Sequence, residues 1–228
     1  MAASPTERDY TKVIREPYEY ISQVKGKGIR LLLVNAFDYW LHIPADKKAE
    51  IGVLTQMLHN ASLLIDDIED NSKLRRGIPV AHNVFGVAQT INSANFVYFE
   101  ALQRTLKLGH PDAVNIYTTQ LVELHLGQGK DIYWRDSHSC PSEPEYMQMV
   151  REKTGGLFML GIALMQLFSE NKTDYTPLVE MLGLYFQIRD DYANLSSEEV
   201  KVDICREGEG DVQCFLSSTQ RTRASART

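Results

Sequence analysis

A chain of 228 residues, 43% of them hydrophobic, is long enough to bury one large core or two small ones. Its formal charge of −6 excludes the basic footprint of a nucleic-acid binder. The opening MAASPTERDYTK has no apolar signal core, and the longest near-apolar run, 157–168, is too short to span a bilayer. Cys140, Cys205 and Cys214 are odd in number and have no metal-ligand spacing, so a reduced, cytoplasmic setting is expected.

Apolar periodicity predicts helices over 9–22, 28–42, 45–70, 88–108, 111–134, 143–153, 156–170 and 175–195. No stretch alternates convincingly as a strand, and no linker divides the chain. The expected fold is all-α, in one domain. Pro17 is expected to kink the first helix, while Pro44, Pro79, Pro111, Pro141 and Pro144 fall at boundaries. Lys27 and Arg30 sit in a glycine-flanked turn entering the second helix. A cation pair beside a helix N-terminus can hold a diphosphate. Read alone, KGKGIR is better taken as a solvated basic loop.

The third helix is the most informative. Ile51, Leu54, Leu58, Ala61, Ile65 and Ile68 recur at steps of three and four, forming one apolar face. His59, Ser62, Asp66 and Asp70 form a second stripe beside it. Asp66 and Asp70 thus stack one turn apart, where like charges repel by roughly 0.2–0.5 kcal/mol on an exposed helix. A cation would remove that penalty. Carboxylate oxygens suit Mg²⁺, which takes one or two of them together with substrate phosphates. Arg75 and Arg76 follow directly, and arginine carries the planar fork that matches phosphate oxygens. A lone DDxxD would read as a solvated helix end, so a second half-site is required.

Residues 183–194, GLYFQIRDDYAN, supply it. Val179, Leu182 and Phe186 form an apolar face, and Gln187, Asp190, Asp191 and Asn194 share another. Two aspartate-bearing helices in one bundle can hold metal ions between them.

These motifs, with GKGIR (26–30), GQGKD (127–131) and REKTGGLF (151–158), occur in an order that resembles the all-trans polyprenyl diphosphate synthases. The likeness is strongest to their geranylgeranyl members of the animal and fungal kind and runs from about 12 to 199. It implies an isoprenoid-synthase-like helical bundle. The implied reaction condenses an allylic diphosphate (farnesyl, geranyl or dimethylallyl) with isopentenyl diphosphate, assisted by Mg²⁺. By the resemblance, Lys27, Arg30, His59 and Arg76 bind isopentenyl diphosphate. Arg75, Lys153, Thr154 and Gln187 hold the allylic diphosphate, and Asp66, Asp70 and Asp190 bind the metal. Gln128 and Asp131 match positions close to the reaction centre. A homo-oligomer is expected.

The implied chemistry follows charge. Arg75 and Lys153 place fixed positive charge where the leaving diphosphate gains negative charge. The allylic cation is attacked by the alkene of isopentenyl diphosphate, and a proton then leaves. No side chain is an evident general base, so the departing diphosphate is expected to take it. Ser62 and Ala61, four and five positions before Asp66, are both small, which in the family is compatible with C20 products.

After about Glu199 the resemblance stops. VKVDICREGEGDVQCFLSSTQRTRASART has no apolar stripe and is expected to be a disordered tail over 200–228, with 1–199 an incomplete synthase domain that lacks the C-terminal helices. The alternative reading is therefore a catalytically impaired family member that assembles with full-length synthase.

Overall fold

The periodicity of three and four is met by an all-α chain. The structure is a computed structural model and describes residues 9–24, 26 and 28–196. Lys27 and the tail expected over 200–228 lie outside the described residues. Contacts gather the chain into two compact units. One runs to Val114 and takes in Leu167–Ser169; the other runs from Asn115 to Gln166 and resumes at Glu170.

In the first unit, α1 (Tyr10–Ser22) is capped by Asp9, whose carboxylate accepts the N–H groups of Thr11 and Lys12. It continues through Pro17, which is buried beside Tyr18. Helix α2 (Ile29–Leu41) starts at Gly28, held at φ 66°. Helix α3 (Ala45–Glu69) begins after Pro44 and packs against α1, α2 and α5 (Val87–Lys107). Ile51, Leu54, Leu58, Ala61 and Leu64 of α3 are completely buried. Each such leucine or isoleucine contributes about 1.5–3 kcal/mol over its exposed state. The facing side of α5 presents small residues, Thr90, Ser93, Ala94 and Ala101, which let the two helices approach. Arg104 of α5 forks onto both oxygens of Glu50 at 2.6 and 2.9 Å.

The buried stripe of α3 ends differently from the sequence pattern. It leaves Ile65 and Ile68 half-buried and runs through Leu64 and Asp67. Asp67 lines a small cavity together with Ile21, Val80 and Ala81, three buried apolar residues.

Beyond α3 the chain forms a small hairpin, β1 (Leu74–Arg75) and β2 (Ile78–Pro79), with Leu74 opposite Pro79 and Arg75 opposite Ile78. The two-residue loop, Arg76 at φ 54° and Gly77 at φ 82°, has the positive angles a tight hairpin turn needs. A short helix, α4 (Ala81–Phe85), precedes α5. Neither hairpin nor α4 is visible as periodicity.

The second unit holds α6 (Ala113–Asp136), α7 (Glu143–Val150), α8 (Gly156–Leu167) and α9 (Thr176–Ser196). Helix α7 opens with a capping box, Ser142 with Glu145. Between α7 and α8 the chain does not break. It passes through one π-helical turn, Arg151–Gly155, which packs against α7 and α9. Two glycines set these distances. A Cβ on Gly127 would stand 2.4 Å from the Lys153 nitrogen, and one on Gly183 would stand 3.0 Å from the Gly155 Cα.

Candidate functional site

At the end of α3 the three aspartates take three different positions. Asp66 is half-buried, Asp67 is buried, and Asp70 is the exposed C-cap, its N–H donating to the Asp66 carbonyl at 2.9 Å. Arg75, delivered by β1, binds back to this end. Its Nε donates to Asp67 Oδ1 at 2.8 Å, and its Nη2 donates to Asp66 Oδ2 at 3.0 Å. Burial alone would pull the Arg75 guanidinium down, but the bonds to Asp67 and Asp66 outweigh it and hold the charge firmly in place. Burial pushes the Asp67 carboxyl up, and Arg75 pulls it back only in part.

Two turns before Asp66 on α3, His59 faces a concentration of positive charge. Burial first, and then the fields of Arg30, Arg76 and Arg75, push its pKa down to about 2. It is a neutral imidazole among three guanidinium groups. Arg76 is itself held by the loop that leads into α2. Its Nη1 donates to the Val24 carbonyl at 2.6 Å, and its guanidinium lies so near Gly26 that a Cβ there would meet Nη2 at 2.7 Å. Arg30, His59, Arg75 and Arg76 are thus gathered in the first unit. Ser62 donates to the His59 carbonyl at 2.9 Å, and Ala61 is completely buried.

The second unit gathers another group of the expected residues. Lys153, in the π turn, is ion-paired with Asp131 of α6. The neighbouring Thr154 hydroxyl donates to Gln187 Oε1, and Gln187 Nε2 donates to Asp191 Oδ1 at 2.8 Å. Asp191 also accepts the Tyr146 hydroxyl on its other oxygen. Burial pushes the Asp191 carboxyl up against the effect of those two donors. Asp190 is exposed on α9, with 59% of its side chain accessible and Arg189 in contact at 2.7 Å.

Asp66 and Asp70 supply hard oxygen donors one turn apart at the open end of α3, a donor set that fits Mg²⁺. Among the described residues no group of three or more His, Cys, Asp or Glu side chains forms a metal cage by itself. No described helix is long and apolar enough to cross a membrane.

A sequence profile of the polyprenyl synthetase family matches residues 11–204. The chain belongs to that family. It is 58% identical to a geranylgeranyl pyrophosphate synthase of Dictyostelium discoideum over 85% of its own length and 63% of the relative's. It is 56% identical to another of that name from Metarhizium anisopliae, over 85% of this chain and 59% of the relative. A protein named terpene synthase from Matsumurasca onukii is 59% identical over 85% of this chain and 64% of the relative. The chain therefore spans about six-tenths of the length of these curated relatives.

Several residues that organise one cluster or the other carry no role in the sequence reading, although it places Asp191 on the face of Gln187. Asp67 is the anchor of Arg75; the signal for it was the step 61, 64, 67, which continues the buried stripe. Glu152, with its side chain 7% exposed, receives Lys130 Nζ on both oxygens at 2.6 Å. Asp191 lies four residues after Gln187, a spacing that allows the bond they form. Nothing in the local sequence singles out Tyr146.

Proposed function

We propose that the chain is a prenyltransferase of the geranylgeranyl diphosphate synthase type. It would condense an allylic diphosphate with isopentenyl diphosphate to make the C20 product. The observation that carries this reading is the neutral His59 surrounded by Arg30, Arg75 and Arg76. Three guanidinium charges acting on an uncharged imidazole suit a polyanion, and family relatives named as geranylgeranyl pyrophosphate synthases supply the substrate class.

Asp66, Asp70 and Asp190 would hold Mg²⁺. When bound, it neutralises the charge that develops on the leaving diphosphate. In this reading Arg75 and Lys153 orient the allylic diphosphate and stabilise it as it departs. Arg30, His59 and Arg76, with Lys27, bind isopentenyl diphosphate. His59 donates a hydrogen bond to it and does not serve as a base. Thr154 and Gln187, bonded to each other, fix the edge of the allylic site.

The test is condensation of farnesyl diphosphate with isopentenyl diphosphate by the purified chain and by Asp70→Ala, with products separated by chain length. A C20 product from the parent is expected, and turnover at least about a hundredfold lower in the variant, the loss of one strong transition-state contact. Equal turnover of the two at saturating Mg²⁺ would sink the assignment.

A further inference from the structure

Asp67 has no role in the binding scheme above, yet among the described residues it is the most buried carboxylate, 1% exposed. It occupies a position on the apolar stripe of α3 where a leucine would follow Ala61 and Leu64. A buried ion pair is a poor source of stability compared with an apolar side chain of the same size. Stability is therefore a weak reason for a carboxylate at this position. Its contacts suggest a better one. Oδ1 accepts Arg75 Nε and lies 2.5 Å from Nη2, while the buried Oδ2 has no hydrogen-bond partner. Nη2 is shared with Asp66 Oδ2. Arg75 is thus fixed at its inner edge by a group that water does not reach, and only its second contact, Asp66, lies toward solvent.

We propose that Asp67 is a positioning residue that holds the Arg75 guanidinium in register for a diphosphate. Asp66 can then exchange its contact with Arg75 for another cation while Arg75 stays in place. An arginine fixed before the ligand arrives loses less rotamer freedom on binding. This role rests on the diphosphate-binding reading above.

The experiment measures binding of inorganic pyrophosphate, without metal, by calorimetry to the parent, Asp67→Asn and Arg75→Lys. Removing a negative charge near an anion site by itself tightens anion binding. Positioning demands the opposite sign. We expect Asp67→Asn to bind pyrophosphate on the order of tenfold more weakly, the scale of a charge-assisted bond lost. Arg75→Lys, which keeps the charge but cannot fork across two carboxylates, is expected to weaken it similarly. Circular dichroism checks that both keep their helices; should Asp67→Asn lose them, Arg75→Lys decides. Unchanged or tighter binding in the folded variants would overturn the role of Asp67 alone. A parent that binds no pyrophosphate would overturn the diphosphate reading itself.

Discussion

His59 carries a consequence for stability as well as for binding. The unfolded chain takes up a proton there as pH falls through about 6.5, whereas the folded chain resists until about 2. The contribution is therefore present above pH 6.5 and is lost on acidification, by ~1.4 kcal/mol per pH unit once well below 6.5. Between pH 7.5 and 5.5 the parent should lose about 1 kcal/mol more stability than His59→Gln. Denaturant titration at the two pH values checks this, and parallel losses would mean that His59 is solvated. The sequence placed His59 on the stripe of Asp66, but not its neighbours. Arg75 and Arg76 reach it only because Arg76 and Gly77 turn the chain at positive φ. Arginine is an uncommon residue at such an angle, and a pair of two-residue strands is too short to leave any periodic trace.

At the scale of elements, most helix bounds were legible to within one or two residues; the expected 143–153 and 156–170 instead end at Val150 and Leu167, with the π turn between them. Apolar steps of three and four mark α1, α2, α3, α5 and α9, and Pro44 fixes the start of α3. What lay beyond the pattern was how closely they approach. Gly127 in GQGKD reads as an indifferent helix interior residue. In the structure it is where α6 touches the π turn, against backbone that cannot move aside. Gly127→Ala would force the two apart and strain both ion pairs beside it, Lys130–Glu152 and Lys153–Asp131. The expected cost is about 1–3 kcal/mol, the range for overpacking. That should lower Tm by roughly 2–4 °C per kcal/mol for a chain of this size. Thermal melting measures it, with Gly129→Ala as the control, since a Cβ there meets nothing within 4 Å.

At the scale of the whole molecule, exposed apolar side chains on α5 bear on assembly. Val87, Ile91, Phe99 and Leu106 lie along one side of α5, with Phe99 68% and Leu106 61% exposed. Exposed apolar side chains of this kind suit association with another protein surface. If the expected homo-oligomer forms, Phe99→Glu should reduce its mass. Sedimentation velocity at micromolar concentration tests this. A variant that keeps the parent's mass would put the interface elsewhere, and a parent that sediments as a monomer would remove the expectation. Composition could not have located these residues, because the buried side of α5 mixes Thr90, Ser93 and Thr105, which read as surface, with Ala94, Val97 and Ala101.

The π turn at Arg151–Gly155 bears on how this stretch can vary between relatives. It holds one residue more per turn than the helices on either side. Deleting one of its five residues would let an unbroken α-helix form; the extra residue is absorbed there, so α8 would keep its face while the residues inside the turn shift. Lys153 and Thr154 could both survive in the sequence and still face the wrong way. In this stretch substitutions such as Arg151→Ala, which removes one exposed contact to Glu180, should be tolerated far better than gaps. Relatives that share the site should vary here in letters and agree in length.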